Sequence, residues 1–154
     1  MKITLPLYVD LARKKGPPKR FYLGLNPYRN SHHMILNQTK VAYKELVLSA
    51  IKALPERRHD LYSPFIFHYT IYPGSKRAFD LGNVLPIVGK FAEDALIELG
   101  VISDDSWKVI KEIRYSIGEV DKENPRAELE ILSLSVGVNH KPATWKRHIP
   151  SEDL

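Results

Sequence analysis

The chain has 154 residues, 44% of them hydrophobic and 27% charged, a balance that suits one globular domain able to bury a sizeable core. No apolar run approaches the roughly 18 residues a membrane span needs, and Met1–Leu5 reads as a strand rather than as a signal peptide. The lack of cysteine excludes disulfides and thiolate zinc sites and is compatible with a reducing cytoplasm, while a net charge of +5 favours a polyanionic partner such as nucleic acid.

Ile3, Leu5 and Leu7 alternate with polar or small residues, the period of a half-buried strand. The run RKKGPPKR from Arg13 to Arg20 follows as a surface loop at a hairpin tip, because its glycine and prolines forbid regular structure. Its basic residues are Arg13, Lys14, Lys15, Lys19 and Arg20; they either touch phosphates or are simply solvated. Phe21–Leu25 returns as a strand, and Asn26–Asn30 is a turn. A helix is expected after Asn37, a good N-cap, with a buried stripe of Val41, Leu46, Val47, Ala50, Ile51 and Leu54 and a stop at Pro55. Arg57, Arg58 and His59 form a second small basic cluster. Phe65–Tyr72 (FIFHYTIY) is the strongest strand, and its His68 reads as a packed or edge histidine rather than a ligand.

A second helix is expected to start near Asn83 or Pro86, to bury Val84, Val88, Phe91, Ala92, Ala95, Leu96 and Leu99, and to end at Gly100. Val109–Val120 and Arg126–Leu134 alternate as two strands, expected to pair as a hairpin across Asp121–Pro125. The order implies an α+β (α/β) single domain over 1–135, a mixed sheet carrying two main helices. Residues 136–154 are a tail that either packs across the sheet or orders on a partner.

Chemistry concentrates between Pro73 and Trp107. A basic loop with Lys76 and Arg77 leads to Asp80; a helix carries Lys90 and Asp94 one turn apart; a short apolar link delivers Asp104 and Asp105. Aspartates are hard oxygen ligands suited to Mg²⁺, and a neighbouring lysine can stabilise charge developing on a phosphate. The plain alternatives are that Asp80 caps the helix, that Asp104 or Asp105 caps a short turn near Trp107, and that Lys90 and Asp94 are a surface pair.

These pieces in this order resemble the RusA family of Holliday-junction resolvases: Ile3-Thr4-Leu5-Pro6, Lys76-Arg77, Asp80-Leu81-Gly82-Asn83, Lys90, Asp94-Ala95-Leu96, Gly100, Asp104-Asp105 and Ala127-Glu128-Leu129-Glu130-Ile131. The resemblance runs from about 65 to 133 and is looser over the first helix. It implies a small homodimeric endonuclease of bacterial or phage-infected cytoplasm. Such an enzyme depends on Mg²⁺, with Mn²⁺ able to substitute, and nicks four-way DNA junctions in recombination, repair or phage DNA processing. It places the first catalytic aspartate on Asp80, the lysine on Lys90 and the last aspartate on Asp105. The chain departs from the family pattern at Gly82, where a second acid is usual, and by about four extra residues before Lys90. Asp94 is the first candidate to replace the missing ligand and Asp104 the second, with Glu93 ranked behind them because it points about 100° from Asp94. Loss of the acid at Gly82 leaves a second expectation, a branched-DNA-binding protein with weakened catalysis, and a third is a metal-dependent nuclease of single-stranded or flap DNA. The strand at Phe65–Tyr72 and the first helix are expected to supply the dimer interface.

Overall fold

The computed structural model describes residues 1–54 and 64–134. Pro55, the Arg57-Arg58-His59 cluster and the tail lie outside these residues. The elements are β1 (Lys2–Leu5), β2 (Tyr8–Leu11), β3 (Lys19–Tyr22), α1 (Leu25–Asn30), α2 (His33–Lys52), β4 (Phe65–Tyr72), α3 (Leu81–Glu98), β5 (Ile110–Ile117) and β6 (Arg126–Ser133). Four strands form a mixed sheet in the order β1-β6-β4-β5, and β2-β3 is a separate hairpin. The class is α+β, as the order of patterns implied.

β4 occupies the interior of the sheet because its core face is apolar at every position. Phe65, Phe67, Tyr69 and Ile71 are all buried, while His68 on the other face bonds Ser116 Oγ at 2.7 Å. β6 runs antiparallel along one edge of β4 and β5 runs parallel along the other. The expected hairpin between β5 and β6 is therefore corrected. Gly118 N donates to the Ile71 carbonyl and Asp121 N to that of Pro73, so the connection crosses the end of β4 and sets β6 down on its far side. β4 is paired on both edges, so neither edge is free to add a strand from another subunit.

Several boundaries move for identifiable reasons. β1 ends at Leu5, before Pro6, and Leu7 joins the hairpin by accepting from Leu23 N at 2.9 Å. Lys19 and Arg20 lie in β3, paired with Leu11 and Asp10, not in the loop. The expected turn at Asn26–Asn30 is the short helix α1, which starts after extended Gly24 with Pro27 in its first turn. α2 begins at His33, ahead of Asn37, because His32 Nδ1 accepts from Met34 N at 3.3 Å. Its buried residues are Thr39, Tyr43 and Val47, spaced four apart, and Val41 and Leu46 face solvent. α3 begins at Leu81 rather than Asn83 or Pro86, and buries Leu85, Ile87, Val88, Phe91, Ala92, Ala95 and Leu96. α2 and α3 pack on each other and on the same face of the sheet. No helix among the described residues is long and apolar enough to cross a membrane.

Candidate functional site

α3 positions most of the chemistry. Its C-terminus is set by Gly100 at φ 67°, where a residue with a Cβ would be strained. Gly100 N bonds Ile97 O at 2.9 Å and Val101 N bonds Leu96 O at 2.8 Å, closing a Schellman turn over buried Val101 and Leu96. Val101 and Ile102 are buried, and the chain emerges at Asp104 and Asp105, both exposed. Asp104 accepts from Asp105 N at 3.0 Å, and its carboxyl lies below the ordinary range, first because the Ser106 hydroxyl bonds it and then through backbone bonds. Asp104 thus caps the turn that leads into β5, and Asp105 is left facing outward.

Glu93, half-buried on α3 and ranked last among the candidate ligands from the sequence, is tied to the core of the sheet. Tyr69 Oη donates to Glu93 Oε1 at 2.9 Å. Burial raises the Glu93 carboxyl, the negative charges of Asp105 and Asp94 raise it further, and the Tyr69 bond and Lys90 act against them. Those influences place Glu93, Asp94, Asp105 and Lys90 within electrostatic range of one another. On a 100°-per-residue helix Lys90 stands about 60° from Glu93 on one side and about 40° from Asp94 on the other, so its ammonium sits between them. The missed signal was the aromatic strand itself, because a tyrosine at a core position of β4 needs an acceptor for its hydroxyl.

Asp94 is tied to α2, with Lys40 Nζ at 3.4 Å; the same ammonium lies 3.2 Å from Glu98, which Lys44 also pairs at 3.0 Å. An open cleft of about 220 Å³ lies there, lined by Tyr28, His33, Asn37, Lys40, Lys90 and Asp94 among others. Asp80 is the N-cap of α3 and accepts from Gly82 N at 2.9 Å. At 1.5 Å per residue, α3 sets Asp80 about 15 Å from Lys90 and about 21 Å from Asp94 along its axis. One ion shared by Asp80 and Asp94 is therefore excluded by the rise of the helix. Among the described residues, no group of three His, Cys, Asp or Glu side chains is arranged to hold a metal ion.

The basic residues divide into two kinds. Arg13, Lys14, Lys15, Lys19, Lys76 and Arg77 are exposed. Arg20 is also exposed, but it makes two hydrogen bonds to Asp10, at 2.9 and 3.0 Å, and its guanidinium lies 3.7 Å over the Tyr8 ring. Beside Asp105 stands exposed Trp107, with Lys111 Nζ 5.1 Å from its ring centre. No family model matches the chain, and no curated protein is similar to it in sequence.

Proposed function

We propose that the protein is a Mg²⁺-dependent, structure-selective endonuclease of branched DNA, with Glu93, Asp105 and Lys90 at its centre. The observation that carries this reading is the half-buried Glu93 carboxyl, raised by burial and by two neighbouring aspartates, with a lysine beside it. Carboxylates crowded against their own charge gain from a cation, and an acid raised by burial beside a charge partner is a functional-site candidate. Magnesium keeps several waters and needs only one or two carboxylates, which Glu93 and Asp105 can supply. When bound, it would polarise a phosphodiester and lower the pKa of a bound water. Lys90 offers its ammonium to the negative charge that grows on the phosphate. Tyr69 holds Glu93 in place from the core, and Asp94, neutralised in part by Lys40, stands behind Lys90. The exposed lysines and arginines and the Trp107 ring suit a phosphate backbone and unstacked bases.

A binding-only reading is favoured by Asp80, whose carboxyl is engaged in capping beside Gly82. One assay separates the two. A fixed four-way junction and a plain duplex are incubated with Mg²⁺ or Mn²⁺, using the parent and Asp105→Asn. Nicking of the junction by the parent alone supports the enzyme; binding by both without nicking by either overturns it.

A further inference from the structure

The helices stop short of β5. Three rows of side chains cross the core face of the sheet and end on this strand: Ile131–Phe67–Ile113, Leu129–Tyr69–Tyr115 and Ala127–Ile71–Ile117. The members on β6 and β4 are buried, whereas Ile113, Tyr115 and Ile117 are 43%, 39% and 58% exposed. β5 is also the longer of the two sheet edges, and no described strand pairs with its outer side. Gly118 N bonds the Ile71 carbonyl at 2.8 Å, and the β4–β5 register is unbroken from Ile66 to Ile71. By strand alternation, the peptide groups of Glu112, Arg114 and Ser116 turn to β4, and those of Ile113, Tyr115 and Ile117 turn outward. A long edge with outward peptide groups and an uncovered apolar stripe is a template for another strand.

We propose that β5 pairs antiparallel with β5 of a second copy, about a two-fold axis through Ile113, joining two four-stranded sheets into one. The charges of the strand select both the occupant and the register. With Ile113 facing its symmetry mate, Glu112 of each copy lies opposite Arg114 of the other. These are non-hydrogen-bonded positions, where cross-strand side chains come closest. Centring the axis on Glu112 or on Arg114 would instead set like charges face to face. In the single chain Arg114 already reaches Glu112 along the strand, at 2.7 and 3.1 Å, so each charge stays paired when partners are exchanged. In this register Ile113 meets its symmetry mate at the centre of the joined sheet, while Tyr115 and Ile117 of each copy lie opposite Lys111 and Val109 of the other. This pairing is independent of the nuclease reading, since association and nicking are measured separately.

The test is sedimentation equilibrium of the full chain at micromolar concentration, comparing the parent with Glu112→Arg, Arg114→Glu and the double variant. The parent is expected to be a dimer. Each single variant turns two favourable cross-strand contacts into two repulsive ones and should weaken self-association by about tenfold or more. The double variant restores complementarity and should recover the dimer. An equimolar mixture of the two single variants should form a heterodimer, because every arginine of one strand then stands opposite a glutamate of the other. A monomeric parent overturns the proposal, as does a parent whose association all three variants share unchanged; the latter would place the interface elsewhere. Exposed positions and recovery by the double variant guard against misfolding as the cause.

Discussion

The Tyr69 hydroxyl donates a 2.9 Å hydrogen bond to Glu93, tying a buried core residue of β4 to the half-buried carboxylate of α3. Hydrogen bonds to charged acceptors contribute more than neutral ones. Tyr69→Phe is therefore expected to cost about 1.5–3 kcal/mol at neutral pH, measured by urea unfolding. A change within about 0.5 kcal/mol, the range of bland surface substitutions, would mean that this bond does not hold the carboxylate.

The pH dependence of Glu93 follows from the direction of its shift. Its ordinary value is 4.5, and burial raises it in the folded protein. The folded state therefore keeps this proton to higher pH than the unfolded state. The associated stability is fully present below 4.5 and is lost as pH rises through the folded value. Glu93→Gln still accepts the Tyr69 hydroxyl but cannot ionise, so its stability should gain on the parent's from acid to neutral pH. Mg²⁺ should act in the opposite sense, raising the Tm of the parent at neutral pH but not that of Glu93→Gln or Asp105→Asn. A site filled to a hundred times its Kd contributes about 2.7 kcal/mol. Equal Tm shifts in all three proteins would remove the cation from this cluster.

Much of the scaffold was legible in the sequence because it is written in local terms. The alternation of Phe65–Tyr72 and the Gly100 stop each depend on a few adjacent residues. What was not legible depends on contacts between distant segments. Strand alternation gives β5 and β6 but not their partners, and β4 took a place between them because its core face needs cover on both sides. The site shows the same division. Lys90, Asp94 and Asp105 carry their chemistry openly, whereas Glu93 gains its character from Tyr69, 24 residues earlier in the chain. Asp80 looked like a ligand because its spacing was read along the sequence, and the rise of α3 turns that spacing into separation.

Lys90→Ala should lower the rate of junction nicking by roughly 10²-fold or more, as removal of a preorganised charge stabiliser does. Junction binding should change little, since one exposed ammonium among many contributes a small part of the phosphate contacts. Asp105→Asn should abolish nicking and leave binding intact. Single-turnover rates measured beside junction affinities check both. A loss of affinity that accounts for the whole loss of rate would make Lys90 a binding residue only.

Salt dependence should separate the two kinds of basic residue. Lys76 and Arg77 are exposed, whereas Arg20 is held by Asp10 in paired hydrogen bonds. The combined change Lys76→Glu and Arg77→Glu should weaken DNA of every sequence. It should also flatten the log–log salt slope by about 0.9 for each phosphate no longer neutralised on duplex arms. Arg20→Ala should leave that slope unchanged. A flattened slope for Arg20→Ala, with an unchanged one for the loop, would move the DNA path to the β2–β3 hairpin.

Asp80 offers the sharpest contrast, because its two readings respond differently to two substitutions. As the N-cap of α3, accepting from Gly82 N at 2.9 Å, it should tolerate Asp80→Asn, since asparagine caps as well as aspartate. Asp80→Ala leaves the first turn without its acceptor and should cost about 1 kcal/mol. A capping role therefore predicts parental stability and nicking for Asp80→Asn, and reduced stability with parental nicking for Asp80→Ala once both are assayed well below their Tm. A role as a metal ligand predicts the reverse for asparagine: stability kept, nicking lost, and a higher Mg²⁺ requirement. The rise of α3 separates Asp80 from Lys90 by about 15 Å, too far for both to act on one phosphate within a single chain. Loss of nicking in Asp80→Asn would therefore require Asp80 to serve a second centre, and mixing that variant with Asp105→Asn would tell whether the centre is completed across two copies.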